Sequence, residues 1–342
     1  MRIAAIVLAL LALGGCSRAA DPGVTELVYA SPYGPSHPFS RADITWMKFV
    51  EQRSGGTLKI RPNWSGGLLS ADMSLEELRH GVADIGLVTP IYVRGGTHLI
   101  RIQSGFYSGA TTPQSQVALY RCIAAASPQV GRELAGLKVL AVQGGTLPGI
   151  VTRDRPIRTL EDLRGLRIRA PTELLSVLEK LGAEPVNMPM GEVYSAMAKG
   201  VIDGVVAPAD TFRSLHFAEV AKYFNTIEIP RGAYPARAIG ERRWRQLSPQ
   251  QQAVLEEGIA VWEAALAQEV QAAWQQGYDE AVARKVEIAP IDPAQQRRFD
   301  ALYLAEAQQN AAALGRFGID GTAAFNAARA SIREGNRVLC AL

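Results

Sequence analysis

Residues 163–204 decide the fold, and they read LRGLRIRAPTELLSVLEKLGAEPVNMPMGEVYSAMAKGVIDG. Short apolar segments alternate in this stretch with segments of helical periodicity, which predicts three strands separated by two helices. Gly182 and Gly200 follow the two helical segments and are typical helix terminators. Alternating strands and helices joined by short turns are typical of α/β packing around a parallel sheet.

The first half of the chain repeats this order. Three strands separated by two helices are predicted there, at about 26–30, 57–61 and 83–88. A short echo relates the halves, because Gly-Val-Ala-Asp at 81–84 resembles Gly-Val-Ile-Asp at 200–203. The repeat predicts two similar α/β lobes, and a chance resemblance between α/β units is the alternative.

A long helix is predicted at 249–283, where Ala, Gln and Glu recur with helical spacing. Ser248 is a suitable N-cap and Pro249 suits the first helical position. A helix of this length can lie across two lobes, so the predicted fold is an α/β clamshell with a long helix spanning both. We assign residues 24–136 and about 230–265 to lobe I, and residues 137–229 and about 266–342 to lobe II.

The composition is that of a soluble globular protein. The chain has 342 residues, of which 48% are hydrophobic and 20% charged, and its formal net charge is +3. Its Lys and Arg residues form no run of five or more, whereas a nucleic-acid groove needs concentrated positive charge. We therefore expect no nucleic-acid partner.

The first residues predict an export signal. Residues 3–13 are an apolar run behind Arg2, too short to span a bilayer at about 1.5 Å of helix rise per residue. Leu-Gly-Gly-Cys at 13–16 resembles a bacterial lipoprotein cleavage box, in which the cysteine sulfur receives the lipid. We predict a signal peptide at 1–15 and a mature chain tethered in the periplasm by a lipid on Cys16. An ordinary signal peptide with an incidental cysteine is the alternative.

Two further cysteines, Cys122 and Cys340, lie far apart in the sequence. An oxidising compartment permits such cysteines to pair. The sequence does not show whether the fold brings them together, so a disulfide and two free thiols both stay open.

The motifs of common enzymes and metal sites are absent from the sequence. It contains no Gly-x-Ser-x-Gly, no His-Glu-x-x-His, no Cys-x-x-Cys and no phosphate-binding loop. The four histidines are scattered without the spacing of a metal site. We therefore predict neither enzymatic activity nor a cofactor or metal ion.

Residues 163–204 closely resemble the solute-binding subunit of tripartite ATP-independent periplasmic (TRAP) transporters, the DctP-like family. The resemblance is carried by LRGLRIRAP at 163–171, LGA at 181–183, MPMGEVYSAM at 188–197 and GVIDG at 200–204. Shorter matches in the first half, such as GLL at 67–69, extend the similarity over most of the mature chain. The resemblance implies a periplasmic-binding-protein clamshell that delivers a small organic acid to the TRAP permease subunits.

The resemblance also implies a ligand anchor. In that family an arginine at the end of the Leu-x-Ile-Arg strand clamps the acid group, and Arg169 has this position here. Crevices of α/β sheets open at the carboxyl ends of parallel strands, and a guanidinium matches both oxygens of a carboxylate. An ion pair with Glu161 or Asp162 at the surface is the alternative. Weaker pocket candidates, each of which also suits a structural or core role, are His37, Tyr92, Phe212 and Tyr234.

Two departures from the family pattern bear on the ligand. The family often has a ligand-contacting asparagine where this chain has Ala207, which we keep as a site position. A second arginine, common in the family's loop, is missing from residues 143–152. Fewer polar anchors predict a ligand less polar than a C4-dicarboxylate, such as a monocarboxylate with a hydrophobic or aromatic body.

Two other functions remain as alternatives to a transport receptor. The same clamshell can present its closed form to a membrane signalling protein, which would make it a ligand sensor. A hydrolase or isomerase acting on the bound acid is the second alternative.

Overall fold

The computed structural model describes residues 23–93 and 95–341, which form two α/β lobes. The predicted signal peptide at 1–15 and the predicted lipid site, Cys16, lie outside these residues. The described part contains eleven strands: β1 (Thr25–Ala30), β2 (Leu58–Asn63), β3 (Ile85–Leu87), β4 (Leu137–Gln143), β5 (Gly149–Thr152), β6 (Arg167–Arg169), β7 (Glu184–Val186), β8 (Gly204–Ala207), β9 (Tyr223–Asn225), β10 (Tyr234–Gly240) and β11 (Glu287–Ala289).

Twelve α-helices accompany these strands in the described residues. They are α1 (Pro38–Arg53), α2 (Ser74–His80), α3 (His98–Ile102), α4 (Pro113–Ala126), α5 (Pro128–Glu133), α6 (Leu175–Lys180), α7 (Val193–Ala198), α8 (Thr211–Ser214), α9 (Glu241–Trp244), α10 (Pro249–Ala283), α11 (Pro293–Ala313) and α12 (Gly321–Ser331). The long helix α10 has the predicted bounds, and the side chain of its N-cap, Ser248, accepts a hydrogen bond from the Gln251 N–H.

Each lobe is built on one mixed sheet. The lobe I sheet has the strand order β2-β1-β3-β10-β4, and the lobe II sheet has the order β11-β9-β5-β8-β6-β7. In lobe I only β10 runs antiparallel to its neighbours, and in lobe II only β5 does. Apolar side chains cover both faces of both sheets, as parallel sheets require. The predicted two-lobe clamshell is therefore confirmed.

The chain passes between the lobes at places that differ from the predicted boundaries. Strand β4 pairs with β10 in the lobe I sheet, so the first crossover follows Gln143 and does not begin at 137. The second crossover lies between β9 and β10, at residues 226–233. The two crossovers are in contact, because the Ile229 N–H donates to the Pro148 carbonyl at 3.0 Å.

The end of the chain returns to lobe I, where 266–342 had been assigned to lobe II. Helix α11 bridges the lobes, with Phe299 in the lobe II core and Ala311 in the lobe I core. Helix α12 then packs on α4 of lobe I, and a disulfide joins Cys122 of α4 to Cys340. The pairing left open by the sequence is thus present, and the tail belongs to lobe I because its apolar face is buried there.

A buried ion pair connects the main elements of lobe I. The Arg237 Nε of β10 donates to the Asp43 carboxylate of α1 at 2.8 Å, and both side chains are fully buried. Tyr29 of β1 and the Trp262 indole of α10 also donate to Asp43. The other end of the Arg237 guanidinium donates to the Gln143 side chain at 2.7 Å. One carboxylate and one guanidinium therefore hold three strands and two helices together.

Helix α10 spans both lobes because it carries glycine where it meets each of them. A Cβ on Gly258 would lie 2.7 Å from the Trp46 indole nitrogen of α1 in lobe I. A Cβ on Gly277 would lie 2.1 Å from the Ala209 carbonyl oxygen and 2.6 Å from the Asp210 Cα in lobe II. At each of the two glycines that interrupt the helical pattern, the helix thus approaches one lobe more closely than a Cβ would allow.

We expect Gly277→Ala to destabilise the protein by roughly 1–3 kcal/mol, because the added methyl group meets rigid backbone. Gly131 in α5 is the matched control, since a Cβ there has no neighbouring atom within 4 Å. Gly131→Ala should be neutral or stabilise by up to about 1 kcal/mol through helix propensity. Urea unfolding of both variants checks the prediction, and equal stability of the two would contradict it.

Candidate ligand-binding site

A cavity of about 130 Å³ lies between the lobes, at the crossovers. Lobe I supplies the turns after β1 and β3, lobe II supplies the residues after β6 and β8, and both crossovers contribute. Its wall consists of Tyr33, His37, Phe39, Ile91, Tyr92, Ser104, Thr146, Pro148, Arg169, Pro171, Glu173, Leu174, Met190, Val206, Pro208, Asp210, Thr211, Leu215, Pro230, Arg231, Gly232, Tyr234 and Val270. Fourteen of these 23 residues have apolar or aromatic side chains, eight have polar ones and one is glycine; a mainly apolar wall with several polar groups is common in small-molecule sites.

Arg169 lies in this wall, at the carboxyl end of β6. The residue is only 2% exposed. Its Nε donates to the Met188 carbonyl at 2.9 Å, and one terminal nitrogen donates to the Tyr92 hydroxyl at 2.9 Å. Tyr92 belongs to lobe I and Arg169 to lobe II, so this hydrogen bond joins the lobes. No carboxylate among the described residues lies within ion-pair distance of Arg169, which removes the surface pair with Glu161 or Asp162; Glu161 is paired with Arg298.

His37 lines the cavity as a neutral side chain. Its Nδ1 accepts a hydrogen bond from the Phe39 N–H at 3.2 Å and caps α1. Burial, reinforced by the positive charges of Arg237 and Arg41, lowers the pKa of His37 to about 3. A neutral imidazole that accepts at Nδ1 carries its proton on Nε2, so His37 presents one hydrogen-bond donor besides its capping bond.

Three phenols form an amphipathic section of the wall: Tyr33, Tyr92 and Tyr234. Tyr33 stacks on the His37 ring with a centroid distance of 4.0 Å. The Tyr234 hydroxyl accepts a hydrogen bond from the Gln143 amide at 3.3 Å, and burial raises the pKa of Tyr234. Through Gln143, the buried pair of lobe I therefore reaches the cavity.

Two predicted site residues do not line the cavity. Ala207 is fully buried in the lobe II core, because its neighbour in β8, Val206, takes the cavity-facing position and successive side chains of a strand alternate. Phe212 is 1% exposed and packs edge-to-face on Phe224 in the same core. The other four predicted residues, Arg169, His37, Tyr92 and Tyr234, are brought together in the wall.

The structure adds polar wall residues that the sequence analysis missed: Ser104, Thr146, Glu173, Asp210, Thr211 and Arg231. Thr146 lies on the first crossover and Arg231 on the second. The position of a crossover depends on which strands belong to which sheet, and the sequence does not show this directly. Arg231 lies only three residues before Tyr234, so a broader search for arginines along the predicted crossover would have found it. Asp210 follows Pro208 by two residues. It was missed because the sequence analysis compared only Ala207 with the family's asparagine and did not consider the residues after Pro208.

The two acidic side chains of the wall are desolvated. Burial raises the pKa of Asp210 to about 6, an effect partly offset by the charge of Arg231 and by the Ser214 hydroxyl. Burial also raises the pKa of Glu173, partly offset by the Ser104 hydroxyl and by the charges of Arg169 and Arg101. Glu173 Oε2 and Thr146 Oγ1 are buried without a hydrogen-bond partner, which is costly unless a bound molecule supplies one.

A wider groove of about 780 Å³ adjoins the cavity on the outer side. The same side chains border both spaces: Tyr33, His37, Tyr92, Met190, Asp210 and Leu215. These residues come from both lobes, so they separate the cavity from the groove only when the lobes lie together.

Other kinds of site find no support in the described part of the chain. No group of three or more His, Cys, Asp or Glu residues is arranged there to hold a metal ion. Between residues 23 and 341, Arg94 left aside, no helix combines the length and apolar character needed to cross a membrane. The arrangement suits the binding of a small anion with an apolar body.

The chain is similar to several known binding proteins. A solute-binding protein of Albidiferax ferrireducens is 26% identical over 236 residues, which cover 64% of this chain and 67% of that protein. A TRAP solute-binding protein of Rhodoferax ferrireducens with co-purified benzoate is 22% identical with a TM-score of 0.81, covering 90% of this chain and 97% of the other. One from Bordetella bronchiseptica with bound mandelate is also 22% identical, with a TM-score of 0.78 and coverage of 90% and 98%. At this identity the two structures establish the fold alone.

The family is established by a match along the chain. The family model for bacterial extracellular solute-binding protein, family 7 (DctP), matches residues 30–311. This range includes ten of the eleven described strands and the last residue of β1, together with both crossovers and the cavity wall. The chain therefore belongs to the DctP family of bacterial extracellular solute-binding proteins.

Proposed function

We propose that this chain binds a small monocarboxylate with an aromatic or otherwise apolar body, and delivers it to a TRAP-type permease. One observation carries the proposal: the buried guanidinium of Arg169 faces the interlobe cavity without a carboxylate partner among the described residues. A buried charge is costly unless it is paired. A ligand carboxylate supplies the missing partner and is held by a charge-assisted hydrogen bond.

The size and wall of the cavity support an aromatic or compact apolar body. Its volume of about 130 Å³ is close to that of an engineered apolar cavity of roughly 150 Å³ that binds benzene. Apolar wall residues from both lobes surround this space, among them Phe39, Leu174, Val206 and Leu215. A larger polar acid, such as a sugar acid, would leave many of its hydroxyl groups facing these side chains without hydrogen bonds.

The ligands of related proteins support a carboxylate as the common feature. The Rhodoferax protein holds benzoate and the Bordetella protein holds mandelate. A marine metagenome protein that is specific for aromatic acids binds 3-hydroxybenzoate, and other relatives bind glucuronate or sialic acid. Each of these molecules has one carboxylate, whereas their bodies differ.

Binding and lobe closure are coupled because the wall comes from both lobes. Arg169 contributes from lobe II, while Tyr92 and His37 contribute from lobe I. A ligand that touches both sides stabilises the closed arrangement over any open one, which is a population shift. The closed surface is then the form that a permease would recognise, and the bound acid leaves chemically unchanged.

A periplasmic location is part of the proposal; membership of an extracellular solute-binding family supports it, and the Cys122–Cys340 disulfide suits that oxidising compartment. We retain a lipid on Cys16 as part of the proposal. Mass spectrometry of the membrane-associated protein tests it, since a diacylglyceryl modification at Cys16 supports the tether and an unmodified Cys16 contradicts it.

We expect Arg169→Ala to weaken binding of an aromatic monocarboxylate such as benzoate by about 2–5 kcal/mol, the range for truncating one partner of a buried charge pair. Arg167→Ala is the matched control, because Arg167 lies two residues earlier in the same strand and its guanidinium is paired with Asp203. Calorimetry should show at least about thirtyfold loss for Arg169→Ala and little change for Arg167→Ala. Loss of less than threefold, or equal losses, removes Arg169 from the anchor role.

We expect the contribution of Asp210 to the free energy of unfolding to fall as the pH rises from about 4 to about 6, because its pKa is raised in the folded state. In this window the folded carboxyl keeps a proton that the unfolded chain has released, whereas the lowered pKa of His37 acts in the opposite direction, so the effect of Asp210 is measured against a variant that lacks its carboxyl. The contribution is on the order of 2–3 kcal/mol. The Asp210→Asn variant lacks it, so the difference in stability between wild type and variant should change across this window. A difference that is constant with pH contradicts the assignment.

A further inference from the structure

Beyond Arg169 and the desolvated Glu173, two acidic or basic side chains of opposite charge line the cavity wall. Arg231 enters from the second crossover and Asp210 from the segment after β8. They are close enough for the positive charge of Arg231 to lower the pKa of Asp210. Nevertheless, among the described residues neither forms an ion pair within 4 Å, so the two charges face the same cavity across a gap.

The Arg231 guanidinium packs against the backbone of the first crossover at Gly145. A Cβ on Gly145 would lie 2.5–2.9 Å from the Arg231 guanidinium, so the guanidinium lies against bare backbone of the first crossover. The Gly145 N–H donates to the Gln116 side chain at 2.8 Å, which fixes this backbone on lobe I. The glycine therefore gives the planar guanidinium a defined place on the cavity wall.

Asp210 is supported from the opposite side. The Ser214 hydroxyl donates to Asp210 Oδ2 at 3.1 Å. Gly277 of α10 approaches the Asp210 backbone so closely that a Cβ would lie 2.6 Å from its Cα. Both charged groups are thus held by packing on separate elements, and closing the gap between them would require one of those elements to move.

The chemistry of a group that fits this gap is restricted. A second carboxylate is attracted by Arg231 but repelled by Asp210, and an ammonium group meets the reverse. A hydroxyl satisfies both, since it accepts from a guanidinium and donates to a carboxylate. The unpartnered Thr146 hydroxyl, next to Gly145 in the same wall, adds a further neutral partner.

We propose that Arg231 and Asp210 form a second polar subsite, which selects aromatic monocarboxylates that carry a hydroxyl group. The inference rests on the proposed function, because Arg169 must hold the carboxylate for the hydroxyl to reach this subsite. Arg169 then supplies affinity for acids in general, whereas Arg231 and Asp210 discriminate among them.

The test compares pairs of acids by calorimetry at about pH 8, where Asp210 is ionised. The probes are benzoate with 3-hydroxybenzoate, phenylacetate with 3-hydroxyphenylacetate, and isophthalate as the acid with a second carboxylate. We expect the wild type to bind at least one hydroxylated acid about tenfold or more tightly than its unsubstituted partner. Isophthalate should bind no better than benzoate.

The variants are Arg231→Gln, Asp210→Asn and Gly145→Ala, the last of which displaces the guanidinium without removing it. Each should reduce the preference for the hydroxyl, taken as the ratio of the two affinities within one variant, to below about threefold. Gly131→Ala, with open space around the added methyl, is the control and should keep the full preference.

Equal binding of both members of each pair by the wild type overturns the subsite but leaves the proposed function standing. Retention of the preference in both Arg231→Gln and Asp210→Asn also overturns it, as does tighter binding of isophthalate. If no aromatic acid binds the wild type at all, the proposed function itself fails. Thermal unfolding of each variant identifies any loss of binding that comes from misfolding. If Arg231→Gln or Asp210→Asn misfolds, the hydroxyl preference of Gly145→Ala decides whether the subsite exists, because Gly145 has no positive φ that an alanine would strain.

Discussion

The buried pair of Asp43 and Arg237 is the interaction on which the architecture depends. It joins the first helix to the strand by which the chain returns from lobe II, and the Trp262 indole brings the long helix to the same carboxylate. Removing one partner of such a pair typically costs about 3–5 kcal/mol, because the other charge stays buried. Since Gln143 extends the network to Tyr234, the core of lobe I also sets the position of one side of the ligand cavity.

The cavity combines a guanidinium of fixed orientation with surroundings of low polarity. Arg169 already donates to Met188 and Tyr92, so its orientation is fixed before any ligand is considered. The wall around it is largely apolar, and its acidic members are desolvated to the point that their pKa values rise. An anion meets a preorganised donor in surroundings of low polarity, which strengthens the interaction relative to water.

More of the fold than of the ligand site could be predicted from the sequence. Alternating strands and helices, the Ser248 cap and the family motif led to the two lobes, the long helix and Arg169. Ala207 was misjudged because a shift of one residue reverses the face of a strand, and Val206 has the cavity position instead. Arg231 was missed because a crossover is defined by long-range strand pairing, and the tail was misplaced because the contact between α12 and α4 leaves no local pattern.

The continuous backbone of α10 limits how such a receptor can move. A helix that is hydrogen-bonded along 35 residues and packed into both lobes resists a free rotation between them. Long helices bend gently and without a sharp break unless a proline or an inserted side chain interrupts them, and beyond its first turn this one contains no proline. Opening of the cleft therefore requires elastic bending of α10 or sliding of α10 along its contact with one lobe. Both favour a small, reversible change in the angle between the lobes over a large domain rotation.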